Sequence, residues 1–211
     1  MPARYDRQAD IVKPRELDFY IHILGAGGIG SWTTLTLAKM GCSNIVVYDD
    51  DIVEDHNVAS QFFKEDQLEL KKTEALKANV LEQTGREIEV EENKVEEAID
   101  SGLVIITIDS MEERIRLAEI YKDKDIFIID GRMGGLQLEV YAIHSSRYKD
   151  TTVDPDKVSH DACTARAINF NCLVIAGFIA NLVRQYAKGD RVELEMGYDF
   201  INNLFIKDVK S

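Results

Sequence analysis

The chain is poor in the residues that staple or punctuate unusual architectures. It has three cysteines, at 42, 163 and 172, an odd number without a Cys-x-x-Cys pair, which excludes a disulfide framework and a cysteine zinc site. A reducing cytoplasm is the expected setting. Three prolines exclude a collagen-like or proline-rich chain. Positive charge is scarce too: 25 basic against 38 acidic residues leave a net charge of −13. A protein whose main task is gripping a nucleic-acid backbone or an anionic membrane is therefore excluded, and any phosphate site must be local. The first ten residues, MPARYDRQAD, hold no apolar leader core, and the longest apolar run, Cys172 to Val183, is shorter than a membrane span and carries Asn181. Internal repeats and low-complexity stretches are lacking. What is present is 211 residues, 45% hydrophobic and 30% charged, the make-up of one folded domain of ordinary size.

The hydrophobic pattern predicts an α/β fold. Phe19–Leu24 is an apolar run that ends at Gly25-Ala26-Gly27-Gly28-Ile29-Gly30 and is followed by helix formers up to Met40. Gly41 stops that helix, and the β-branched run Ile45–Tyr48 ends in Asp49-Asp50-Asp51, completing a βαβ unit. Continuous apolar strands imply helices on both faces of a mostly parallel sheet. The alternation continues with a helix from Lys71 to Gln83, a strand around Glu87–Glu92, a short helix near Val95–Ile99 and a buried strand Leu103–Ile108 ending in Asp109. A helix over Glu112–Tyr121 and a strand Ile126–Ile129 closed by Asp130-Gly131 come next. Leu136–Ala142 then alternates apolar with polar, which predicts an antiparallel strand toward the C-terminus. The chain thus divides into an N-terminal arm (1–17), a Rossmann-like core, a polar crossover loop (145–162), a long helix (163–187) whose stripe Ile168, Cys172, Ile175, Ile179, Leu182 and Tyr186 is widened by Leu173, Val174, Phe178 and Val183, and a terminal hairpin (191–208).

Gly25, Gly27 and Gly30 have the spacing that permits a tight turn, close approach of a phosphate-bearing ligand, and helix-on-strand packing, with Gly28 beside them. Free N–H groups at the helix start favour a nucleotide, and Asp49 at the end of the next strand suits a ribose hydroxyl. NAD and ATP both satisfy these features.

An ordered set of further residues resembles the ThiF/MoeB/HesA adenylyltransferase family, which shares its fold with ubiquitin-activating enzymes. The set comprises Arg4-Tyr5-Asp6-Arg7-Gln8, the glycine turn, Asp49-x-Asp51-x-Val53-Glu54-x-x-Asn57, Gln61, Lys72 and Asp109, and it runs from about residue 4 to 145. The resemblance implies an ATP- and magnesium-dependent enzyme that activates the C-terminal carboxylate of a ubiquitin-like sulfur carrier or a peptide as an acyl-adenylate. It assigns magnesium to Asp109, the ribose to Asp49 with Asp51 beside it, the phosphates to Lys72 and Asn57, and a lining role to Gln61. Arg4 and Arg7 match a motif in which an arginine reaches the phosphates of the neighbouring subunit, so a homodimer is implied. Asp109 could instead cap the helix beginning at Met111, Lys71 competes with Lys72, and Arg114 either buttresses the site or pairs with Asp109 or Glu113.

The sequence also departs from the pattern. Ser60 stands where most members carry an arginine three residues after the asparagine, so one phosphate-neutralising cation is missing, for which Arg132 or a partner-chain arginine could substitute. The paired Cys-x-x-Cys motifs of many relatives are absent, so zinc is predicted absent. Cys163, before the long helix and near Arg166, is the cysteine placed for a reactive or thioester-forming thiol, with His160 as a neighbour. Two other functions are consistent with parts of the chain. An NAD-dependent oxidoreductase would leave Arg4, Asn57, Gln61, Lys72 and Asp109 without common purpose, and a non-catalytic scaffold of the same fold would account for Ser60.

Overall fold

The computed structural model describes residues 4–153, 167–190 and 193–209. One eight-stranded sheet runs through it in the order β3-β2-β1-β4-β5-β6-β7-β8. Strands β1 (Tyr20–Leu24), β2 (Asn44–Tyr48), β3 (Glu89–Glu91), β4 (Leu103–Ile106) and β5 (Phe127–Gly134) are parallel. Strands β6 (Gln137–His144), β7 (Leu194–Asp199) and β8 (Leu204–Val209) add antiparallel neighbours to β5. This is the expected Rossmann-like arrangement with an antiparallel C-terminal extension.

The helices follow from the sheet. Helix α1 (Gly28–Met40) ends at Gly41, whose φ of 104° lets its N–H reach back to Leu37 and Ala38. Together with α3 (Lys72–Thr84) and α6 (Asn169–Ala187), it covers one face, where Leu37, Leu76, Val80, Ile175 and Ile179 meet Ile21, Ile23, Val47, Ile105 and Ile129. The other face carries α4 (Met111–Tyr121) and α5 (Ser145–Tyr148), whose Leu117, Ala118, Tyr121 and Tyr148 pack on Val104, Ile106 and Ile128. Strand β4 is buried at every position because both faces are covered. The remaining α-helix among the described residues, α2 (Asp55–Val58), is a single turn after β2.

Five expectations are corrected. Val95–Ile99 is not helical: it drapes over α4, where Arg116 Nη2 donates to Val95 O at 2.5 Å and Ile99 N donates to the Tyr121 hydroxyl at 3.3 Å. Side chains of α4 thus hold one backbone group at each end of it, and five residues are too few to nucleate a helix alone. Strand β5 continues past Asp130-Gly131 to Gly134 because β6 pairs with it along its full length. The start of the crossover is helical through Thr151, held by burial of Tyr148, while residues 154–166 lie outside the described residues. On α6 the buried stripe is narrower than expected, since Leu173 is 45% exposed, as is Ile168 just before the helix at 49%. By length and composition this 19-residue helix, with mean hydropathy 1.2, does reach what a membrane crossing needs, against the sequence expectation; its buried residues are those packed on the sheet.

Candidate nucleotide site

The strand order reverses direction at β1, with β2 on one side and β4 on the other, and a doubly wound sheet opens a crevice at such a point beyond the strand ends. Two segments meet there. Gly25 follows β1 with a φ of 103°, and a Cβ on it would lie 3.1 Å from the Thr107 backbone and 3.2 Å from Ile108 N. Thr107, just after β4, donates its hydroxyl to Gly25 O at 2.8 Å and Leu24 O at 3.0 Å. The glycine turn and the loop leading to Asp109 are therefore one packed unit.

Within that unit the glycines have different tasks. A Cβ at Gly30 would fall 1.8 Å from Gly25 O and 2.7 Å from Thr107 Oγ1, so the helix can approach the turn only without a side chain. A Cβ at Gly28 would meet Cys172 Sγ at 3.1 Å, where α1 abuts the start of α6. At Gly27 a Cβ would meet nothing within 4 Å among the described residues. Gly27 is the N-cap of α1 and supplies no capping side chain, so the first N–H groups of a 13-residue helix face an open approach.

The acidic and cationic side chains gather around this turn. Asp49 Oδ2 accepts from Ala26 N at 2.7 Å, and Oδ1 accepts from Asp51 N at 2.9 Å, which fixes the carboxylate beside the glycines. Burial raises its pKa above the ordinary carboxylate range. The carboxylates of Asp49, Asp50 and Asp51 lie within 4.8 Å of one another. Lys72, buried at the start of α3, donates from Nζ to Asp51 Oδ2 at 2.7 Å, whereas Lys71 Nζ binds Asp50 O at 2.8 Å on the exposed side. The structure thus separates the two lysines and turns Lys72 toward the acidic edge of the pocket.

Asp109 is exposed, and Ser110 caps α4 by accepting from Glu113 N at 3.2 Å. The capping alternative for Asp109 falls to its neighbour, and the Asp109 carboxylate makes no hydrogen bond or ion pair among the described residues. Segment 60–62 is tied to the first turn of α1: Trp32 Nε1 donates to Ser60 O at 2.9 Å and Phe62 N donates to Ser31 Oγ at 3.0 Å. Gln61 lies between these ties, and its Oε1 is buried with no hydrogen-bond partner among the described residues. Asn57 is buried and accepts from Glu54 N at 2.8 Å, so its oxygen serves the turn of α2.

The other candidates lie elsewhere. Arg4 donates from Nη1 to Thr84 O at 2.9 Å, and Gln8 Nε2 to Met40 O at 2.7 Å. These acceptors are at the C-terminal ends of α3 and α1, the pole of the sheet opposite the glycine turn, so the arm does not enter its own chain's pocket. Arg7 is exposed on that arm. Arg114 pairs with neither Asp109 nor Glu113: its Nε lies 3.2 Å from both oxygens of Asp130. Arg132 is committed to Asp130 Oδ2 at 2.7 Å and to Thr151 O at 2.7 Å, away from Ser60, so the substitution expected of it is not made among the described residues. Cys163, His160 and Arg166 lie outside the described residues. The Asp130 cluster was missed in the sequence because Asp130 reads as a strand end; the two arginines spaced around it were the available signal.

These groups fit a triphosphate nucleotide. An open helix start and a buried lysine suit phosphates, a fixed acid at the end of β2 suits a ribose, an orphaned buried amide oxygen suits a donor, and the uncommitted Asp109 suits a magnesium ion.

A model of the ThiF family matches residues 14–210. Over 58 residues the chain is 40% identical to ubiquitin-like modifier-activating enzyme 5 of Oryza sativa subsp. japonica, and over 58 residues 38% identical to that of Arabidopsis thaliana. Each match takes in 28% of this chain and only 14% of the relative's length. Among solved structures, E. coli MccB with ATP superposes at a TM-score of 0.82 and 16% identity, over 99% of this chain and 71% of MccB. E. coli MccB in complex with AMPCPP and MccA gives 0.78 at 16%, over 98% and 71%, and PaaA gives 0.78 at 20%, over 99% and 73%. At these identities the structural likeness is one of fold.

Proposed function

The chain belongs to the ThiF family, and from that premise we propose that it is an ATP- and magnesium-dependent adenylyltransferase acting on the C-terminal carboxylate of a ubiquitin-like sulfur carrier or a peptide. The observation that carries this reading is the convergence at one crevice of the open start of α1, buried Lys72 and uncommitted Asp109. A nicotinamide cofactor would have use for the first of these but not for the other two. That E. coli MccB is known with ATP and with MccA supports a nucleotide and a peptide as the two substrates.

The chemistry needs two anions to meet. A carboxylate oxygen of the acceptor attacks the α-phosphorus of ATP, a new P–O bond forms, and the bond to the bridging oxygen breaks as pyrophosphate leaves with the electron pair. The N–H groups of α1 and the Lys72 ammonium offset the charge on the phosphates. Asp109 would hold magnesium, which when bound neutralises phosphate oxygens. Asp49 orients the ribose end, and Gln61 Oε1 offers an acceptor beside the helix start. Arg4 and Arg7 would serve the pocket of a second copy, in a homodimer.

Pyrophosphate exchange into ATP in the presence of candidate carriers and C-terminal peptides tests the reading. Exchange that is abolished by Asp109→Ala supports it. Thermal stabilisation by NAD rather than by ATP with magnesium would overturn it. Because Ser60 removes a cation and Arg132 is committed elsewhere, a scaffold subunit of the same fold is the second reading; nucleotide binding without exchange on any carrier would favour it.

A further inference from the structure

The most unusual feature outside the nucleotide crevice is a wholly buried carboxylate shared by two arginines and a tyrosine. Asp130, on β5, is 0% exposed. Arg114 Nε approaches both its oxygens at 3.2 Å, Arg132 donates to Oδ2 from Nε at 2.8 Å and Nη2 at 2.7 Å, and the Tyr148 hydroxyl donates to Oδ2 at 2.9 Å. Two guanidinium groups on one carboxylate leave an excess of buried positive charge. A cluster serving stability alone gains little from a second buried cation, since desolvation opposes it and an apolar pair of the same volume would do as well.

The outer ends of these side chains show what the cluster joins. Arg114 Nη2 donates to Ile108 O at 2.6 Å, the carbonyl immediately before Asp109, and to Gly131 O at 3.2 Å. Arg132 donates from Nη1 to Thr151 O at 2.7 Å and from Nη2 to Thr151 Oγ1 at 2.8 Å, with its guanidinium 4.3 Å from the centre of the Tyr141 ring. Thr151 Oγ1 in turn donates to Tyr148 O at 2.8 Å. One carboxylate therefore ties the loop that carries Asp109 to the far side of α5.

We propose that Asp130 is a positioning residue: through Arg114 it sets the Asp109 loop, and through Arg132 and Tyr148 it makes that setting depend on how the chain is held at Thr151. The inference rests on the adenylation reading for its consequence, magnesium use at Asp109, but not for the tie itself. A planar guanidinium held by Asp130 at Nε and bonded to Ile108 O from Nη2 transmits orientation that a flexible lysine would not, and a misplacement of about 1 Å at a reacting centre costs about a hundredfold in rate. The buried positive charge also lies under the loop on which phosphate charge must be met, in a chain whose position 60 is a buried serine.

The test uses changes at the end remote from Asp109. Thr151→Val removes the Arg132 acceptor hydroxyl, and Tyr148→Phe removes one donor to Asp130 while keeping the ring; neither touches the crevice. In the whole protein, thermal stabilisation by ATP is titrated with magnesium. Each variant is expected to need about tenfold more magnesium for half its effect, with magnesium-free ATP stabilisation unchanged. An unchanged magnesium requirement in both variants overturns the proposal. Hydrogen exchange of the nucleotide-free protein provides a readout that does not depend on the adenylation reading. In Tyr148→Phe, amides 108–110 and 150–153 are expected to exchange faster together, and faster exchange confined to 150–153 overturns the tie. Should ATP with magnesium not stabilise the native chain, the adenylation reading fails while hydrogen exchange still decides the role of Asp130.

Discussion

Lys72 and Asp51 form an ion pair of unequal partners: Nζ is 2.7 Å from Oδ2, but the lysine side chain is 9% exposed and the aspartate 66%. The ammonium is held at the pocket edge by an anion that water can still solvate. An arriving phosphate can take over the lysine while Asp51 turns to solvent at little cost.

That asymmetry sets the first expected outcome. Lys72→Met leaves an exposed carboxylate, which costs under about 1 kcal/mol of stability, but it removes the pocket's buried cation and should lower affinity for ATP by tenfold or more, on the order of the 1.5–3 kcal/mol of a charge-assisted bond. Asp51→Ala should do the reverse. It leaves a buried ammonium without its anion, lowers the melting temperature, and makes the protein gain more from ATP than the native chain does. Thermal shift with and without ATP measures both, and Lys71→Met serves as the exposed comparison.

The glycines are expected to separate fold from function. A methyl at Gly30 overlaps Gly25 O, so Gly30→Ala should destabilise by about 1–3 kcal/mol or more through overpacking. At Gly27 the methyl meets none of the described residues, so Gly27→Ala should melt close to the native protein yet lose ATP stabilisation, because the methyl occupies the approach to the start of α1. Chemical denaturation and ATP-dependent thermal shift distinguish the two.

How much of this was legible in the sequence depends on whether a residue's partners were local. The strand-turn-helix around Gly25–Gly30 was readable because spacing alone dictates it, and Asp49 because it ends the next strand. The meeting of Asp109 with the glycine turn follows from β4 lying beside β1, an order that the alternation of elements implies. Arg114 and Arg132 were assigned to other partners because nothing local to either residue shows that Asp130 is fully buried between them; only the pairing of β5 with β4 and the packing of α4 and α5 bring them together. Val95–Ile99 departs from its helical pattern for a similar reason, the Val95 carbonyl being claimed by Arg116 from another element.

His22 is expected to make the fold sensitive to acid. It is buried on β1 with Nδ1 3.2 Å from the Tyr48 hydroxyl, and burial lowers its pKa below the ordinary 6.5. The unfolded chain therefore binds a proton that the folded chain refuses. The stability due to neutral His22 is fully present above pH 6.5 and is lost as the pH falls below it, because ΔG of unfolding rises with pH wherever the unfolded state holds more protons. Denaturant midpoints from pH 7 to 5 should fall less in His22→Phe than in the native chain.

Thiol chemistry should be confined to one position. Burial pushes Cys42 up to about 12 and Cys172 up to about 11. At pH 8 roughly one in ten thousand and one in a thousand of these groups are thiolates, and both are sterically enclosed. Iodoacetamide on the native protein should leave Cys42 and Cys172 unmodified by peptide mass mapping, and label both after denaturation. Alkylation of Cys163, with its effect on pyrophosphate exchange, then reads that residue alone.

The position of the arm makes the homodimer testable through activity. Arg7 is exposed at the pole opposite its own chain's crevice, whereas Asp109 lies at the crevice. If the arm serves a second copy, Arg7→Ala and Asp109→Ala damage sites in different ways: the first empties the neighbour's site of its arginine, and the second disables its own. Each variant alone should be inactive. A mixture allowed to exchange subunits forms mixed dimers in which one of the two sites has both residues intact, so about a quarter of native pyrophosphate exchange should return. An arm acting in its own chain returns none, because no single chain in the mixture carries both residues, and an arm with no role shows itself earlier, by leaving Arg7→Ala active alone.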